Sequence, residues 1–467
     1  MDSDYYTIGL SSLVKEHKSA VVGLFVSQVI LIYILCFGHL NLFLLLAGVL
    51  VFFVAITDFE LSVYLLISSF FIEYFFFPGW GIKLADFAGL AVVLAYLGKQ
   101  ACSGQFLIRR TPLDKSILLF MLALTISLVN ISDIFTSLRN YLRHVQMFIL
   151  FYVLASGMKK ESILKFLKFF LILATLHSFQ TLFLFLTTHG ERTFGVAGVP
   201  FANIVVIALT ICYAFYLFQE QLTQRLKYGV IFFILLGALI ATQTRSALLY
   251  FLLGYLVVSI LAYRKSKIEN LRYVQNNLSK LTGMIVLASI LVMLMQPSII
   301  SGFAHRMYTL TYGAVGTIKL RFVLWDVALK AFSHSPLVGI GIGQFDRMRA
   351  ILPQVRFLPL YEHVAGMSAH SLFFSFLAET GLIGILCLSY FVFSFLKLGW
   401  LTYKNTFDRV NLLICLSILG GVIAGQWAFW SVPGMLFMFF LALLVVFNEN
   451  IGNESELWKR QPNQNCQ

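Results

Sequence analysis

Arg245 is the charged side chain whose position in this sequence is hardest to explain without a binding role. It lies in the segment TQTRS (residues 242–246), which joins two apolar runs with almost no loop between them. A charge at the centre of a membrane helix costs about 2.5 kcal/mol or more, and less toward the interface, so it usually faces a polar cavity or a partner. The alternative is an arginine that extends to the outer lipid headgroups. We favour the polar cavity.

Arg192 and Arg321 also lie where the predicted topology gives no reason for positive charge. Arg192 falls in a short turn between two apolar runs, and Arg321 falls in a long loop, four residues before Trp325. Residues four apart share a helix face, so Arg321 and Trp325 belong to one surface. Anchoring at the membrane interface is a common role for such a pair, and on spacing alone we favour it for Arg321.

Among the histidines, His370 is the best placed to act as a base. It lies at the predicted outer mouth of a span, in the segment MSAHS (residues 367–371), and His363 is its main competitor. An imidazole with an ordinary pKa of about 6.5 accepts a proton near neutral pH. The alternative is a structural histidine at the interface. Glu379, nine residues further on, is either its buried partner or a polar group in helix packing.

Together these side chains suit a reaction at a diphosphate. Arginine binds phosphate oxygens in a bidentate manner, and a diphosphate leaving group needs charge stabilisation rather than a proton. An acceptor hydroxyl, by contrast, needs a base, which histidine supplies. Arginine and histidine therefore suffice, and we expect no metal and no cofactor. The histidines and outer carboxylates show no metal-ligand spacing.

The elements that position these residues are membrane helices. The chain is 59% hydrophobic and 12% charged, with a mean hydropathy of +0.86, whereas a soluble domain is roughly a quarter charged. About 20 apolar residues cross a bilayer as a helix. We predict an all-α, polytopic transmembrane helix bundle of 12–14 spans. The apolar runs are 20–37, 42–57, 61–77, 82–98, 115–130, 144–158, 163–187, 202–218, 228–243, 246–263, 281–295, 371–396, 411–427 and 431–447.

Lysine and arginine clusters fix the predicted orientation, because positive charge is retained on the cytoplasmic side. Every cluster follows an even number of apolar runs, so both termini are predicted to be cytoplasmic. Residues 20–295 would form spans 1 to 11 of a single membrane domain, residues 371–447 the last spans, and residues 448–467 a cytoplasmic tail. The net charge of +13 is dispersed over short loops, so we expect a lipid bilayer and no nucleic acid as partner.

One long loop, residues 296–370, is predicted to be folded on the outer side. The stretch KLRFVLWDVALKAFS (residues 319–333) has apolar residues at helical spacing. Pro336 ends this amphipathic helix, since the residue before a proline disfavours helix, and the turn GIGIG (residues 339–343) follows. We expect a small structured cap.

These segments resemble the O-antigen ligase and O-antigen polymerase superfamily of bacterial envelope glycosyltransferases. The strongest similarity is LRFVLWDVALKAFSHSPLVGIGIGQF and then SAHSLFFSFLAETGLIG, within residues 320–384. The family has there an arginine before a Trp-containing helix, a Pro-Leu-x-Gly-x-Gly turn, and a histidine before a helix with Glu-x-Gly-Leu-x-Gly. The segment RTFG (residues 192–195) and the hairpin around Arg245 resemble two further family segments. The chain departs from the pattern at Ser371, after the histidine, and at Thr244 and Ser246.

The resemblance implies a multi-pass glycosyltransferase of the bacterial inner membrane, with a periplasmic active site and one large structured periplasmic loop. The donor would be a glycan linked to undecaprenyl diphosphate, and the acceptor the lipid A–core of lipopolysaccharide or another glycan. The transfer would be inverting and independent of metal. Arg192 and Arg245 would bind the diphosphate, Arg321 would support it or the loop, and His370 would activate the acceptor hydroxyl. Trp325 and Glu379 would be supporting residues.

Three alternatives remain beside a ligase. A repeat-unit polymerase needs the same donor site, with a second lipid-linked unit as acceptor, and a third enzyme would use a protein side chain as acceptor. A flippase or other transporter of lipid-linked oligosaccharides would also bind a diphosphate through arginines. Transporters tend to have internal repeats and binding charges near the bilayer midplane, whereas the charges here cluster at one face. We therefore favour an enzyme, and a ligase first.

Overall fold

The computed structural model describes most of the chain, with gaps at both ends and at several internal positions. The described residues are 27–28, 52–72, 75–77, 82–104, 108–188, 192–198, 200–268, 270–295, 317–358, 361–363, 365–405 and 431–459. The predicted spans at 20–37, 42–57 and 411–427 lie wholly or mostly outside these residues.

Helices dominate the described residues, and they confirm an all-α membrane bundle. A short antiparallel ribbon of β1 (Phe75–Phe77) and β2 (Ile82–Lys83) is an addition that the apolar pattern did not predict. The helices are α1 (Phe59–Ser69), α2 (Leu84–Ser103), α3 (Asp114–Ser127), α4 (Ile134–Gly157), α5 (Lys160–Thr187), α6 (Phe201–Leu217), α7 (Leu222–Ala241), α8 (Arg245–Ile268), α9 (Arg272–Met295), α10 (Thr317–His334), α11 (Leu372–Asn405) and α12 (Ser431–Lys459).

Five helices of the described chain are long and apolar enough to cross a membrane. They lie within α2, α5, α7, α8 and α11, and the matching segments are Leu84–Ser103, Lys160–Thr187, Leu222–Ala241, Ser246–Ile268 and Leu372–Tyr403. On α8, exposed Leu249, Leu252, Leu256 and Ile260 form an outward stripe, as expected of a surface that meets lipid. The chain is therefore a multi-pass membrane protein; the number of spans and their orientation stay predictions.

Two helices form the centre of the bundle. Every residue of α6 except Asn203 is buried, and α12 is buried over most of residues 432–447. A helix that is apolar all round belongs in an interior. Accordingly α6 contacts α5, α7 and α8, while α12 packs on α4 and α11.

Some helix boundaries differ from those of the apolar runs. α4 begins at Ile134, ten residues before its apolar run, because Arg139, Asn140 and Arg143 interrupt the hydropathy but not the helix. Asp133 caps its first turn, where Oδ1 accepts a hydrogen bond from the Phe135 amide at 3.1 Å. α1 ends at Ser69, short of residue 77, and α12 continues to Lys459, into the predicted tail.

Residues 317–370 fold into a cap with a small core of its own. Its helix α10 matches the predicted amphipathic helix, extended by a few residues. The apolar face of α10 packs against the segments that follow it in the chain. This core consists of Leu324, Val327, Ala328, Ala331, Ile340, Phe345, Met348, Leu352, Val355, Tyr361 and Ala369, together with Ala378 of α11.

The cap joins the membrane helices at a break in α11. Gly381 has φ 62° and ψ −158°, so the helical path is interrupted there. The break leaves two carbonyls and two amides without helical partners, and the Pro336–Gly341 backbone bonds to all four. Ile340 and Gly341 donate to the Ala378 and Glu379 carbonyls at 3.0 Å each, while the Leu382 and Ile383 amides donate to the Pro336 and Leu337 carbonyls at 2.8 and 3.1 Å. Backbone polar groups inside a membrane protein need such partners.

This junction requires glycine at Gly339 and Gly381. Both have a positive φ, and a Cβ on Gly339 would overlap the backbone of Glu379 and Thr380. A Cβ on Gly381 would come within 2.6 Å of the Leu337 carbonyl. The Pro-Leu-x-Gly and Glu-x-Gly segments are thus two halves of one backbone interface.

A second contact fixes the cap to the start of α4. The Gln344 side-chain amide donates to the Asp133 carbonyl at 2.9 Å and to the Ser137 hydroxyl at 2.7 Å. Asp133 also forms an ion pair with Arg347 at 2.6 Å. The segment before α4 and the cap therefore lie at the same end of the bundle. We refer to it as the cap end.

Gly339→Ala should destabilise the protein much more than Gly366→Ala. Both positions have a positive φ, which costs a non-glycine residue about 1–2 kcal/mol, but Gly366 has open space around it. Thermal unfolding of the two variants in detergent would measure the difference. Equal shifts in Tm would contradict the close backbone contact at the helix break.

Candidate functional site

Arg192 is held against the turn between α7 and α8. Its Nε donates to the Thr242 carbonyl at 3.1 Å, and its guanidinium carbon lies 4.4 Å from the centre of the Phe194 ring. A longer contact of 3.5 Å joins a terminal nitrogen to the Thr244 hydroxyl. The side chain is nevertheless exposed. Arg192 therefore lies beside the turn that immediately precedes Arg245, as a shared site requires.

The backbone next to Arg192 is fixed by the ends of two helices. The Thr193 amide donates to the Ala241 carbonyl at 3.4 Å, and the Thr193 hydroxyl donates to the Thr181 carbonyl at 3.2 Å. Gly195 has φ 59°, and a Cβ there would meet the side chains of Gln180 and Thr181 at 3.0 Å. The RTFG segment is thus wedged between α5 and α7, which limits the movement of Arg192.

Arg321 lies between α8 and His370, which precedes α11 by two residues. It is half-buried on α10, and it interacts electrostatically with both Tyr250 of α8 and His370. Within the part of the chain that the structure describes, no carboxylate forms an ion pair with Arg321. A partly buried arginine without a counter-charge favours an anion in its surroundings.

His370 is partly exposed and has an unusual backbone conformation. Its φ is 48°, in the left-handed region, which histidine enters more readily than most residues but still uncommonly. Ser371 follows as the cap of α11, and its hydroxyl accepts from the Phe374 amide at 3.5 Å. Burial, and then the nearby Arg321 charge, lower the pKa of His370 below its ordinary value of 6.5. The imidazole is therefore neutral at pH 7, the form that accepts a proton.

Trp325 connects Arg321's helix to the start of α11. Its ring stacks on Phe374 with centroids 5.0 Å apart, and the edge of Phe322 meets it at 5.3 Å. Its indole Nε1 is buried and has no hydrogen-bond partner among the described residues. Trp325 thus holds α10 against the turn that carries His370, a supporting role through packing.

Glu379 binds the cap rather than another side chain of the candidate site. It is buried, and its Oε1 accepts a hydrogen bond from the Phe345 amide at 3.1 Å. The Gly343 amide also donates to the carboxyl group. The end of the GIGIG turn is therefore fastened to α11 two residues before the helix break. Its described contacts are with this turn and not with His370.

The structure brings the residues that the sequence singled out together in two groups. Arg192 contacts the turn before Arg245, whose backbone opens α8 and whose side chain lies outside what the structure describes. Arg321 approaches His370, while His363 is exposed on a short 3₁₀ turn. Tyr250 was missed, because a tyrosine inside an apolar run has no signal of its own. The described residues contain no group of three His, Cys, Asp or Glu side chains that could hold a metal ion.

Comparison with known families supports the resemblance seen in the sequence. Residues 230–389 match the family model described as O-antigen ligase. No curated protein matches the chain. The matched range contains Arg245, Arg321, His370 and the α11 break, whereas Arg192 lies before it. The match supports a relationship of these residues to the O-antigen ligase and polymerase superfamily.

Glu379→Ala should destabilise the cap, and Glu379→Gln should do so less. Alanine leaves buried amides without an acceptor, which costs about 1–3 kcal/mol, while glutamine keeps one acceptor oxygen. Thermal unfolding and limited proteolysis within residues 343–358 would detect the loosened turn. A Glu379→Ala protein as stable and as protease-resistant as the wild type would show that the carboxyl group does not hold the cap.

Proposed function

We propose that the chain transfers a glycan from undecaprenyl diphosphate to the lipid A–core of lipopolysaccharide, at the periplasmic face of the bacterial inner membrane. The observation that carries the proposal is the position of Arg321, half-buried between Tyr250 and His370 with no described carboxylate partner. A cation and a neutral base are thus side by side at the cap end. The O-antigen ligase match covers both residues.

The donor diphosphate would lie along the side of the site formed by Arg192, the start of α8 and Arg321. Arg192 is exposed, so its guanidinium is accessible from outside although one nitrogen is bonded to Thr242. Guanidinium groups bind phosphate oxygens bidentately. Arginines fixed beforehand stabilise the charge that develops on a departing diphosphate, with little rearrangement during the reaction.

His370 would act on the acceptor. Its lowered pKa keeps the imidazole neutral, so it takes the proton of the acceptor hydroxyl as that oxygen bonds to the anomeric carbon. The bond from the same carbon to the diphosphate breaks, and its electron pair leaves with the diphosphate. The oxygen enters opposite the leaving group, which inverts the configuration. These steps use arginine charge where other enzymes use a metal ion.

Grouping of the charges at one end supports an enzyme rather than a transporter. Arg192, Arg321 and His370 all lie in or beside connections at helix ends, not along the middle of a membrane helix. A transporter would need its binding charges near the midplane, accessible from both sides in turn. The family match supports a ligase and a polymerase alike, so we propose the ligase first and keep the repeat-unit polymerase as the second candidate.

His370→Asn should fold normally and lose transfer by roughly 10²-fold or more, the usual contribution of a general base. Asparagine tolerates a positive φ but does not accept the proton, so the variant separates chemistry from backbone strain. Glycan transfer by purified protein would be measured with lipid-linked donor and lipid A–core acceptor. His363→Ala, at an exposed histidine, is the matched control and should keep full activity. Wild-type turnover by well-folded His370→Asn would remove His370 from the mechanism.

The acid limb of the kcat/KM profile should lie below pH 6.5. Activity requires neutral His370 and falls as the pH drops through its pKa, which burial and Arg321 lower. Arg321→Gln removes the second of these causes, so the remaining activity should fall off at a higher pH. Lys330→Gln, at an exposed cation on the same helix, should leave the profile in place. An acid limb that Arg321→Gln does not move would contradict the coupling.

A further inference from the structure

A group of buried polar side chains lies on α5, behind the segment that carries Arg192. The group consists of His177, Ser178, Gln180 and Thr181, all buried on a helix that is long and apolar enough to cross a membrane. Polar groups in such a helix need hydrogen-bond partners. The Ser178 and Thr181 hydroxyls find them within α5, where they donate to the carbonyls four residues earlier at 2.7 and 2.9 Å. His177 and Gln180 bond instead to other segments of the chain.

Gln180 and Thr181 bind the backbone on both sides of Gly195. The Gln180 Oε1 accepts a hydrogen bond from the Val196 amide at 3.4 Å, and the Thr181 carbonyl accepts one from the Thr193 hydroxyl at 3.2 Å. A Cβ on Gly195 would lie 3.0 Å from a side-chain oxygen of each α5 residue. This segment, which begins one residue after the candidate donor arginine, therefore rests closely on one turn of α5.

The orientation of Arg192 depends on the backbone of that segment. Its Nε donates to the Thr242 carbonyl at 3.1 Å, and its guanidinium carbon lies 4.4 Å from the centre of the Phe194 ring. Phe194 belongs to the segment that Gln180 binds, so a shift of the segment would move the ring on which the guanidinium lies. Gln180 is thus connected to Arg192 through the intervening backbone and the Phe194 ring.

His177 contacts Gln180 from the other side, toward α1. Its imidazole interacts with the Gln180 side chain, which is one turn further along α5. Its Nε2 lies 3.3 Å from the Gln28 Oε1, and the Gln28 side-chain amide donates to the Ser68 carbonyl of α1 at 3.4 Å. A continuous series of polar contacts therefore runs through the interior from α1 to the segment that Gln180 binds.

Helix packing alone does not account for this series of contacts. A polar contact between α1 and α5 needs only Gln28 and His177, yet the series continues to a backbone amide outside both helices. A buried polar network whose members are satisfied is rigid, since breaking one contact leaves a polar group without a partner. This rigid network ends beside Arg192, whereas the cap holds Arg321 and His370.

We propose that Gln180, held by His177, is a positioning residue for the donor diphosphate. The inference rests on the proposed function and adds residues that act on the diphosphate through Arg192. By fixing residues 193–196, Gln180 keeps the guanidinium in its binding orientation before the donor arrives. Binding then does not have to order that side chain, which preserves affinity. The acceptor and its base, His370, are not part of this support.

The test measures diphosphate affinity and transfer kinetics on the full-length protein in detergent. Gln180→Met keeps the length of the side chain but removes the oxygen that accepts from the Val196 amide. The binding probe is undecaprenyl diphosphate without a glycan, and transfer uses lipid-linked donor and lipid A–core acceptor. Gln180→Met should raise the Kd for the probe and the donor KM about tenfold, the scale of one hydrogen bond. The KM for the acceptor should stay as in the wild type.

Ser178→Ala is the matched control, because it removes a buried hydroxyl from the same part of α5 whose hydrogen bond stays within the helix. It should leave the Kd and both KM values unchanged. His177→Phe keeps a ring that stacks on Phe71, where the centroids are 5.2 Å apart, but removes the ring nitrogens. It should raise the Kd for the probe by a smaller factor, and it carries the test if Gln180→Met fails to fold.

A double-mutant cycle with Arg192 separates positioning from a general loosening of the structure. In an Arg192→Ala background there is no guanidinium to orient, so adding Gln180→Met should leave the Kd nearly unchanged. An equally large effect of Gln180→Met in that background, or an equal effect of Ser178→Ala in the wild type, would overturn the inference. An unchanged Kd in folded Gln180→Met, or in folded His177→Phe, would overturn it as well.

Failure of the proposed function would look different. A wild-type protein that transfers nothing, yet binds undecaprenyl diphosphate in a manner that depends on both Gln180 and Arg192, would uphold the positioning role and overturn the transferase. Normal transfer by the wild type, with an unchanged donor KM in Gln180→Met, would uphold the transferase and overturn the positioning role.

Discussion

The backbone of α11 leaves the helical path at Gly381, and in a membrane protein each polar group freed by such a break needs a partner. Four hydrogen bonds from residues 336–341 supply those partners. This interface fixes where the cap lies, because the same residues connect α10 to α11. It also ends the helical segment that starts after His370. The positions of Arg321 and His370 therefore depend on a backbone contact that only glycine permits at two positions.

The cap then determines the electrostatics of its end of the bundle. α10 brings Arg321 toward α8 and His370, and Trp325 packs that helix against α11. Glu379 accepts hydrogen bonds from backbone amides of the cap, so its described contacts are with the turn and not with the arginines. Arg192 is exposed and Arg321 is half-buried. A partly buried, cationic surface at a membrane interface is costly unless an anion occupies it, which links the fold to a diphosphate or phosphate ligand.

The sequence predicted the class of fold and the segments of the site, but not the contacts between them. Hydropathy identified the helices, and the spacing of apolar residues in 319–333 identified α10, because both signals are local. The glycines of the GIGIG segment predicted a turn. They did not predict that Gly339 packs against the backbone of Glu379 and Thr380, some 40 residues further along the chain, because no local pattern encodes that contact. The first ten residues of α4 were not predicted, because Arg139 and Arg143 shorten the apolar run without ending the helix. Tyr250 has no sequence signal that separates it from other aromatic residues in the apolar runs, and its position beside Arg321 is known only from the structure.

The most direct test of the account is the envelope glycolipid profile of the host after deletion of this gene. We expect lipid A–core without attached glycan, and long polymer accumulating on undecaprenyl diphosphate at the periplasmic face. Core that carries a single repeat unit would contradict the ligase and indicate a polymerase with the same donor site. Single units trapped at the cytoplasmic face would contradict the enzyme altogether and indicate a flippase.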